Sequence, residues 1–372
     1  MDFTKLLFQY WGFKSFRPLQ EEIIRSAYEG VDTLALLPTG GGKSICFQIP
    51  ALAKEGICIV VTPLIALMKD QVDSLNQKGI KAVAIYSGMS NREIDVMLDN
   101  CVYGGYKFLY LSPERLSTEL FRRRVQHMNV SLLTVDEAHC ISQWGYDFRP
   151  SYLRIAELRE LIPDAPILAL TATATPEVAR DIMRRLNFRN ENLQQRSFER
   201  RNLTYVVRHT EGKNAELLKI LKSVPGSGIV YVRTRGETKE IHRLLLANNI
   251  SADSYHGGMD NEVRAVKQNS WRSGQTRIMV ATNAFGMGID KPDVRLVVHM
   301  DLPDSLEAYY QEAGRAGRDG KKSYAVLLYK ESDKLSAQKR VETAFPPIEE
   351  IKRIYQAIGS YLQVPIGAGK DT

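Results

Sequence analysis

Short, largely apolar runs recur along the chain, each followed by a stretch in which apolar residues repeat at helical spacing. Residues 33–37, 57–61, 107–111, 131–135 and 167–170 form a first series; residues 228–232, 277–281, 294–300 and 323–329 form a second. Strand and helix alternating in this way predict an α/β protein built from two tandem, doubly wound parallel-sheet lobes. The first lobe is assigned residues 1–200 and the second residues 201–335, divided at a polar, charged link at 196–201. That link is not glycine-rich, so a hinge of few residues is expected, with the lobes otherwise able to rotate about it. Residues 336–372 read as a C-terminal helical extension or the start of a further domain, in which Pro346-Pro347 precedes an amphipathic helix at 348–361 and an end expected to fray.

The loop after the first run is Thr39-Gly40-Gly41-Gly42-Lys43-Ser44. Consecutive glycines let backbone N–H groups converge on oxyanions, the helix expected at 44–52 presents its positive end, and Lys43 adds a full charge. Ser44 would then hold Mg²⁺. Leu37 stands where the usual pattern has a glycine, but the strand–loop–helix setting is the one a phosphate loop needs. The run at 131–135 ends in Asp136-Glu137-Ala138-His139. On its own an acidic turn at a strand end is usually solvated; behind a phosphate loop, Asp136 is placed to hold Mg²⁺ and Glu137 to orient and deprotonate an attacking water.

Near the other end lies Gln311-Glu312-Ala313-Gly314-Arg315-Ala316-Gly317-Arg318. Arg315 and Arg318, three apart, would share one helix face and aim at a γ-phosphate. The alternative is a solvated basic face, against which stand Gly314, Gly317 and Gly320, since each glycine costs an idle helix about 1 kcal/mol relative to alanine. An ATP site cut in two follows, with the nucleotide between the lobes and their closure as the power-producing motion.

Read in order, the chain shows Phe16-Arg17-Pro18-Leu19-Gln20, the phosphate loop, the stretch 62–71 opening Thr62-Pro63-Leu64-Ile65, Leu111-Ser112-Pro113-Glu114-Arg115, Asp136 to His139, Thr171-Ala172-Thr173-Ala174, Tyr255-His256-Gly257-Gly258-Met259, the stretch 281–292 and the arginine segment. This series resembles the motor core of the RecQ-family DNA helicases, within helicase superfamily two, from about residue 6 to about residue 329. The resemblance implies RecA-like lobes. It also implies that Gln20 reads the adenine edge with Phe13 and Arg17 flanking the base, that Gly288 and Asp290 belong to the nucleotide site, and that Gln311 joins Lys43, Glu137, Arg315 and Arg318 in catalysis. Phe13 and Phe16 have a second reading, as core aromatics of an amphipathic first helix.

After the acidic motif comes Ser142-Gln143-Trp144-Gly145-Tyr146-Asp147-Phe148-Arg149-Pro150. Aromatics and an arginine on a Gly- and Pro-punctuated loop can make a stacking platform worth about 1–3 kcal/mol per base; the alternative is a loop clamped to its own lobe. In the family this loop senses single-stranded DNA, which implies nucleic-acid contacts for Trp144, Phe148 and Arg149 and coupling roles for His139, Gln143, Thr171 and Thr173. Family members usually carry histidine where Tyr146 stands. Backbone grips are expected from Ser112 and Arg115 on one lobe and from Arg233, Thr234, His256 and Thr282 on the other. The family's 3′ to 5′ polarity and duplex unwinding carry over by resemblance, and strand separation is poorer without the wedge that the family places in C-terminal domains.

The family usually binds zinc through a cysteine cluster after the second lobe, whereas residues 331–372 contain neither cysteine nor histidine. No zinc is therefore expected, the chain being either a fragment or a branch without that module. Cys46, Cys58, Cys101 and Cys140 are far apart and read as reduced thiols. Among 372 residues a net charge of +7 favours a polyanionic partner, here single-stranded and partly duplex DNA, only weakly. Neither a membrane span nor a signal-peptide core is present in the sequence, so a cytoplasmic location is expected, and a monomer.

Overall fold

The computed structural model describes residues 1–145, 147–286 and 291–363; Tyr146, Gly288 and Asp290 lie outside them. Among the described residues thirteen strands form two entirely parallel sheets. The first contains β1 (Thr33–Leu36), β2 (Ile57–Val61), β3 (Ala82–Ile85), β4 (Phe108–Leu111), β5 (Val130–Val135), β6 (Ile167–Thr171) and β7 (Leu193–Gln195), in the order β3-β4-β2-β5-β6-β1-β7. The second contains β8 (Leu203–His209), β9 (Ser227–Tyr231), β10 (Ala252–Tyr255), β11 (Ile278–Ala281), β12 (Val294–His299) and β13 (Ser323–Tyr329), in the order β10-β11-β9-β12-β13-β8.

The apolar runs are continuous because helices cover both faces. Leu34 and Leu36 of β1 feed one core with Ile59, Val61 and Leu133, while Ala35 and Leu37 feed the opposite core with Val60, Leu132 and Leu170. The same alternation in β9 sends Val230 and Ile229 to opposite faces. Each fully buried leucine or isoleucine contributes about 1.5–3 kcal/mol relative to exposure. A parallel sheet puts every strand's carboxyl end on one edge, and the site residues sit there: the phosphate loop follows β1, Asp136 follows β5, Thr171 ends β6, and Arg233 and Thr282 lie just beyond β9 and β11.

Two expectations need correction. The helix that carries Gln311 spans Leu306–Ala313, so Arg315 and Arg318 lie in the turns that follow it and share no helix face; Gly314 caps the helix and Gly317 turns the chain at φ 64°. The link at 196–201 is bonded to both lobes: Arg196 N–H donates to Leu36 O (3.2 Å), and Arg200 reaches Thr39 O and Gly314 O, both at 3.3 Å. Phe13 and Phe16 are not aromatics of the first helix, which spans Phe3–Trp11; Phe13 is exposed, and Phe16 packs beside the small core of Phe3, Leu7 and Ile24. The helix Ile348–Tyr361 forms as expected and buries none of its residues.

Candidate nucleotide site and nucleic-acid interface

β1 ends in a turn through Gly40 and Gly42, both left-handed at φ 77° and 78°, into the helix Lys43–Ala53. A side chain at Gly40 would be strained by its φ and would also strike Arg318, whose Cγ lies 2.9 Å from the position of a Cβ. The backbone N–H groups at the start of that helix and the Lys43 ammonium therefore face a cleft of about 490 Å³ with walls from both lobes: Lys43, Asp136 and Glu137 from the first, Gln311, Arg315 and Arg318 from the second. Phe13, Arg17, Thr39, Gly41 and Ser44 line the same cleft. Thr39 Oγ1 is buried there without a hydrogen-bond partner.

Gln20 is buried at the start of the helix Gln20–Tyr28, launched by Leu19 in a left-handed conformation (φ 71°). Its amide donates to Gly42 O (3.0 Å) and Gly41 O (3.3 Å), and its carbonyl accepts from Arg17 N–H (2.8 Å). Arg17 in turn donates to Gly40 O. The expected adenine reader thus also grips the phosphate loop itself.

Glu137 is also left-handed, at φ 48°. Apart from asparagine and the last described residue, Gln363, Leu19 and Glu137 are the non-glycine residues with positive φ among the described residues; Glu137 lines the cleft, and Leu19 precedes Gln20, which bonds the phosphate loop. Such strain persists where the surroundings impose it. Glu137 Oε1 is 3.6 Å from Lys43 Nζ, and its other oxygen is 3.5 Å from His139 Nδ1, which bonds Thr171 Oγ1 at 2.9 Å. Thr171 Oγ1 continues to the backbone of Thr173 at 3.3 Å, donating to its carbonyl and accepting from its N–H. Burial alone would raise the Glu137 pKa, but Lys43 first, then His139 and Arg315, outweigh it and hold the carboxyl below its ordinary value. Burial and the neighbouring Glu137 carboxylate push Asp136 up to about 6. Burial lowers His139, so its ring is neutral near pH 7.

Two acids this close, one forced to hold its proton to about pH 6, are a donor set that a divalent cation would relieve, and Ser44 lines the same cleft. The site fits Mg²⁺.

The aromatic loop is rooted in this network. Ser142 Oγ donates to buried Asp181 (2.7 Å), which also accepts from Arg184 (2.5 Å) and Arg185 (2.7 Å). A Cβ at Gly145 would come 2.5 Å from the His139 carbonyl, so the loop crosses directly over the acidic motif. Trp144 is 77% exposed, Gln143 is exposed, and Phe148 is half-buried. Arg149 is already committed, pairing with Asp147 at 3.0 Å and donating to Pro63 O at 3.4 Å.

The other expected contacts divide. Arg233 is exposed and paired with Asp304 (2.7 Å); Thr234 caps the helix Arg235–Ala247, with its hydroxyl accepting from Glu237 N–H. Arg115 donates to Tyr86 O (2.9 Å), while Ser112, His256 and Thr282 are buried. Ser112 Oγ and His256 Nδ1 have no hydrogen-bond partner. A second cleft of about 540 Å³ runs from Asp147 to Arg233, Gln311 and Arg315, so Gln311 and Arg315 face both openings. Sequence reasoning missed Arg200, Asn202 and Tyr152, whose hydroxyl donates to Asp136 O at 3.0 Å.

Two parallel-sheet lobes closing on a phosphate loop are the fold of the RecA-like helicase cores. Residues 17–182 match the DEAD/DEAH box helicase family and residues 212–320 the helicase conserved C-terminal domain. The ATP-dependent DNA helicase RecQ of Bacillus subtilis is 48% identical over 331 residues, 88% of this chain and 56% of that protein. The probable ATP-dependent DNA helicase RecS of the same organism is 40% identical, with 95% of this chain and 73% of that protein covered. The fold is shared with the structure of S. cerevisiae Dbp5 bound to RNA and ADP BeF3, at TM-score 0.70 and 18% identity, covering 96% of this chain and 97% of that one. The chain belongs to the RecQ family of superfamily-two helicases, and it spans little more than half the length of the RecQ relative, 56%.

Proposed function

We propose that the chain is an ATP-driven DNA motor in which single-stranded DNA stimulates hydrolysis and cleft cycling drives 3′ to 5′ movement and duplex unwinding, in DNA repair or recombination. The observation that carries this reading is the shared cleft, with Lys43, Asp136 and Glu137 on one wall and Arg315 and Arg318 on the other. Direction, duplex opening and pathway rest on family membership.

The Lys43 ammonium lies 3.6 Å from Glu137 Oε1. A triphosphate on the loop draws that ammonium to its own oxygens, which removes the largest charge holding the Glu137 carboxyl down and makes it a better base for the attacking water. Neutral His139 keeps the carboxylate oriented and ties it through Thr171 to Thr173. Arg315 and Arg318 then meet the charge that builds on the transferred phosphoryl group. Ser44 and Asp136 would hold Mg²⁺, which supplies charge neutralisation on the phosphates. A base stacked on Trp144 would shift the loop that crosses His139, and so the carboxylate beside it.

The decisive experiment is steady-state ATP hydrolysis with and without an oligonucleotide, run in parallel with single-stranded DNA and RNA. Stronger stimulation by DNA supports the reading. Equal or stronger stimulation by RNA would make the chain an RNA-directed motor, and no turnover would leave a nucleotide-gated clamp.

A further inference from the structure

We propose that Arg200, in the link between the lobes, is a positioning residue that registers the arginine-bearing segment against the phosphate loop. The proposal rests on the ATPase reading above. The guanidinium is fully employed: Nη2 donates to Ala316 O (2.8 Å) and Gly317 O (2.7 Å), Nη1 to Gly314 O (3.3 Å) and across the cleft to Thr39 O (3.3 Å), and Nε to Asn202 Oδ1 (3.4 Å). Gly314, Ala316 and Gly317 follow the end of the helix Leu306–Ala313, where carbonyls lose their helical partners. These residues bracket Arg315 and end beside Arg318, so one side chain fixes the backbone from which both arginines project.

The same guanidinium is the bridge to the other lobe. Thr39 opens the phosphate loop, and the two backbones approach so closely that a Cβ at Gly314 would lie 3.0 Å from Thr39 Cβ. Arg200 therefore sets the separation between the loop that holds the phosphates and the arginines that answer their charge. Within the second lobe the segment has its own anchor, because Asn202 Nδ2 donates to Gly317 O (2.8 Å) and Lys321 O (3.0 Å). Loss of Arg200 would thus leave the segment folded while releasing its register to the loop. Lysine is no substitute: three donors on one ammonium cannot serve four carbonyls spread across a planar fork.

The test measures DNA-stimulated ATP hydrolysis, fluorescent-nucleotide affinity and melting temperature for the full chain and its R200A, R200K, R318A and R200A/R318A variants. R200A and R200K should each lower kcat about tenfold or more, with KM for ATP and nucleotide affinity within about twofold of wild type. Because Arg200 acts through the arginines, adding R200A to R318A should cost less than about twofold more. Losses that multiply in the double variant, a defect confined to KM, or wild-type turnover in folded R200K would overturn the proposal. Absence of ATPase in the unaltered chain would sink the motor reading and this proposal together, whereas an active wild type with multiplying losses would sink this one alone.

Discussion

Arg318 lies against Gly40, its Cγ 2.9 Å from where a methyl group on that glycine would sit. An arginine of the second lobe thus leans on the phosphate loop of the first, in the space left by a missing side chain. In G40A the methyl both strains a backbone at φ 77° and pushes Arg318 away. The variant should hydrolyse ATP more slowly by about tenfold or more. Turnover at the wild-type rate would mean that the arginine has another working position.

Lys43 and Glu137 form an ion pair at 3.6 Å. K43A should abolish turnover and also let the Glu137 carboxyl rise toward the value its burial favours. Carbon-13 NMR of labelled glutamate, titrated with acid, reads the second effect. An unmoved Glu137 midpoint would show that Lys43 does not control that acid.

Among the described residues of the loop Trp144 is the exposed aromatic, and Ser142 is the loop's buried root. W144A should sharply reduce the ratio of DNA-stimulated to unstimulated ATPase. S142A removes a buried hydrogen bond to a carboxylate and should destabilise the fold by about 1.5–3 kcal/mol, measured by urea unfolding, while also blunting stimulation. Stimulation ratios equal to wild type in both proteins would return the loop to a purely structural role.

Asp136 holds its proton up to about pH 6, against an ordinary value of 3.8. A folded-state pKa raised in this way contributes stability that is fully present below 3.8 and lost as pH rises through about 6. At pH 8 the ligand-free protein therefore carries a buried charge that D136N lacks, and D136N should melt higher while hydrolysing no ATP. Below about pH 6, protons compete with Mg²⁺ for the same carboxyl, so the Mg²⁺ midpoint for hydrolysis should rise steeply as pH falls. A midpoint independent of pH between 5 and 8, or a lower melting temperature for D136N, would contradict this account.

The central strands were legible because burial on both faces leaves an uninterrupted apolar run, as in β2. The edges were not. β10 reads Ala-Asp-Ser-Tyr, and β8 exposes most of its residues, since an edge strand has less to cover it. β3, only four residues long, was also missed. Lys43, Asp136, Glu137, Arg315 and Arg318 were picked out by residue type and spacing and Gln311 by the family resemblance, and all six line one cleft. Helical spacing misled for the arginine pair because glycines ended the helix first. Arg200 was illegible because its partners are carbonyl oxygens, which every sequence supplies at every position.

All four cysteines are buried, and burial pushes the thiols of Cys46, Cys58 and Cys101 up to about 12 and raises Cys140 as well. Thiols so protonated and shielded react slowly with maleimides. Two cysteines introduced at the surface, one on each sheet's covering helices, would accept a donor and acceptor dye without any native cysteine being removed. Any change in the separation of the two sheets on adding ATP can thus be read one molecule at a time, with the four native cysteines left in place.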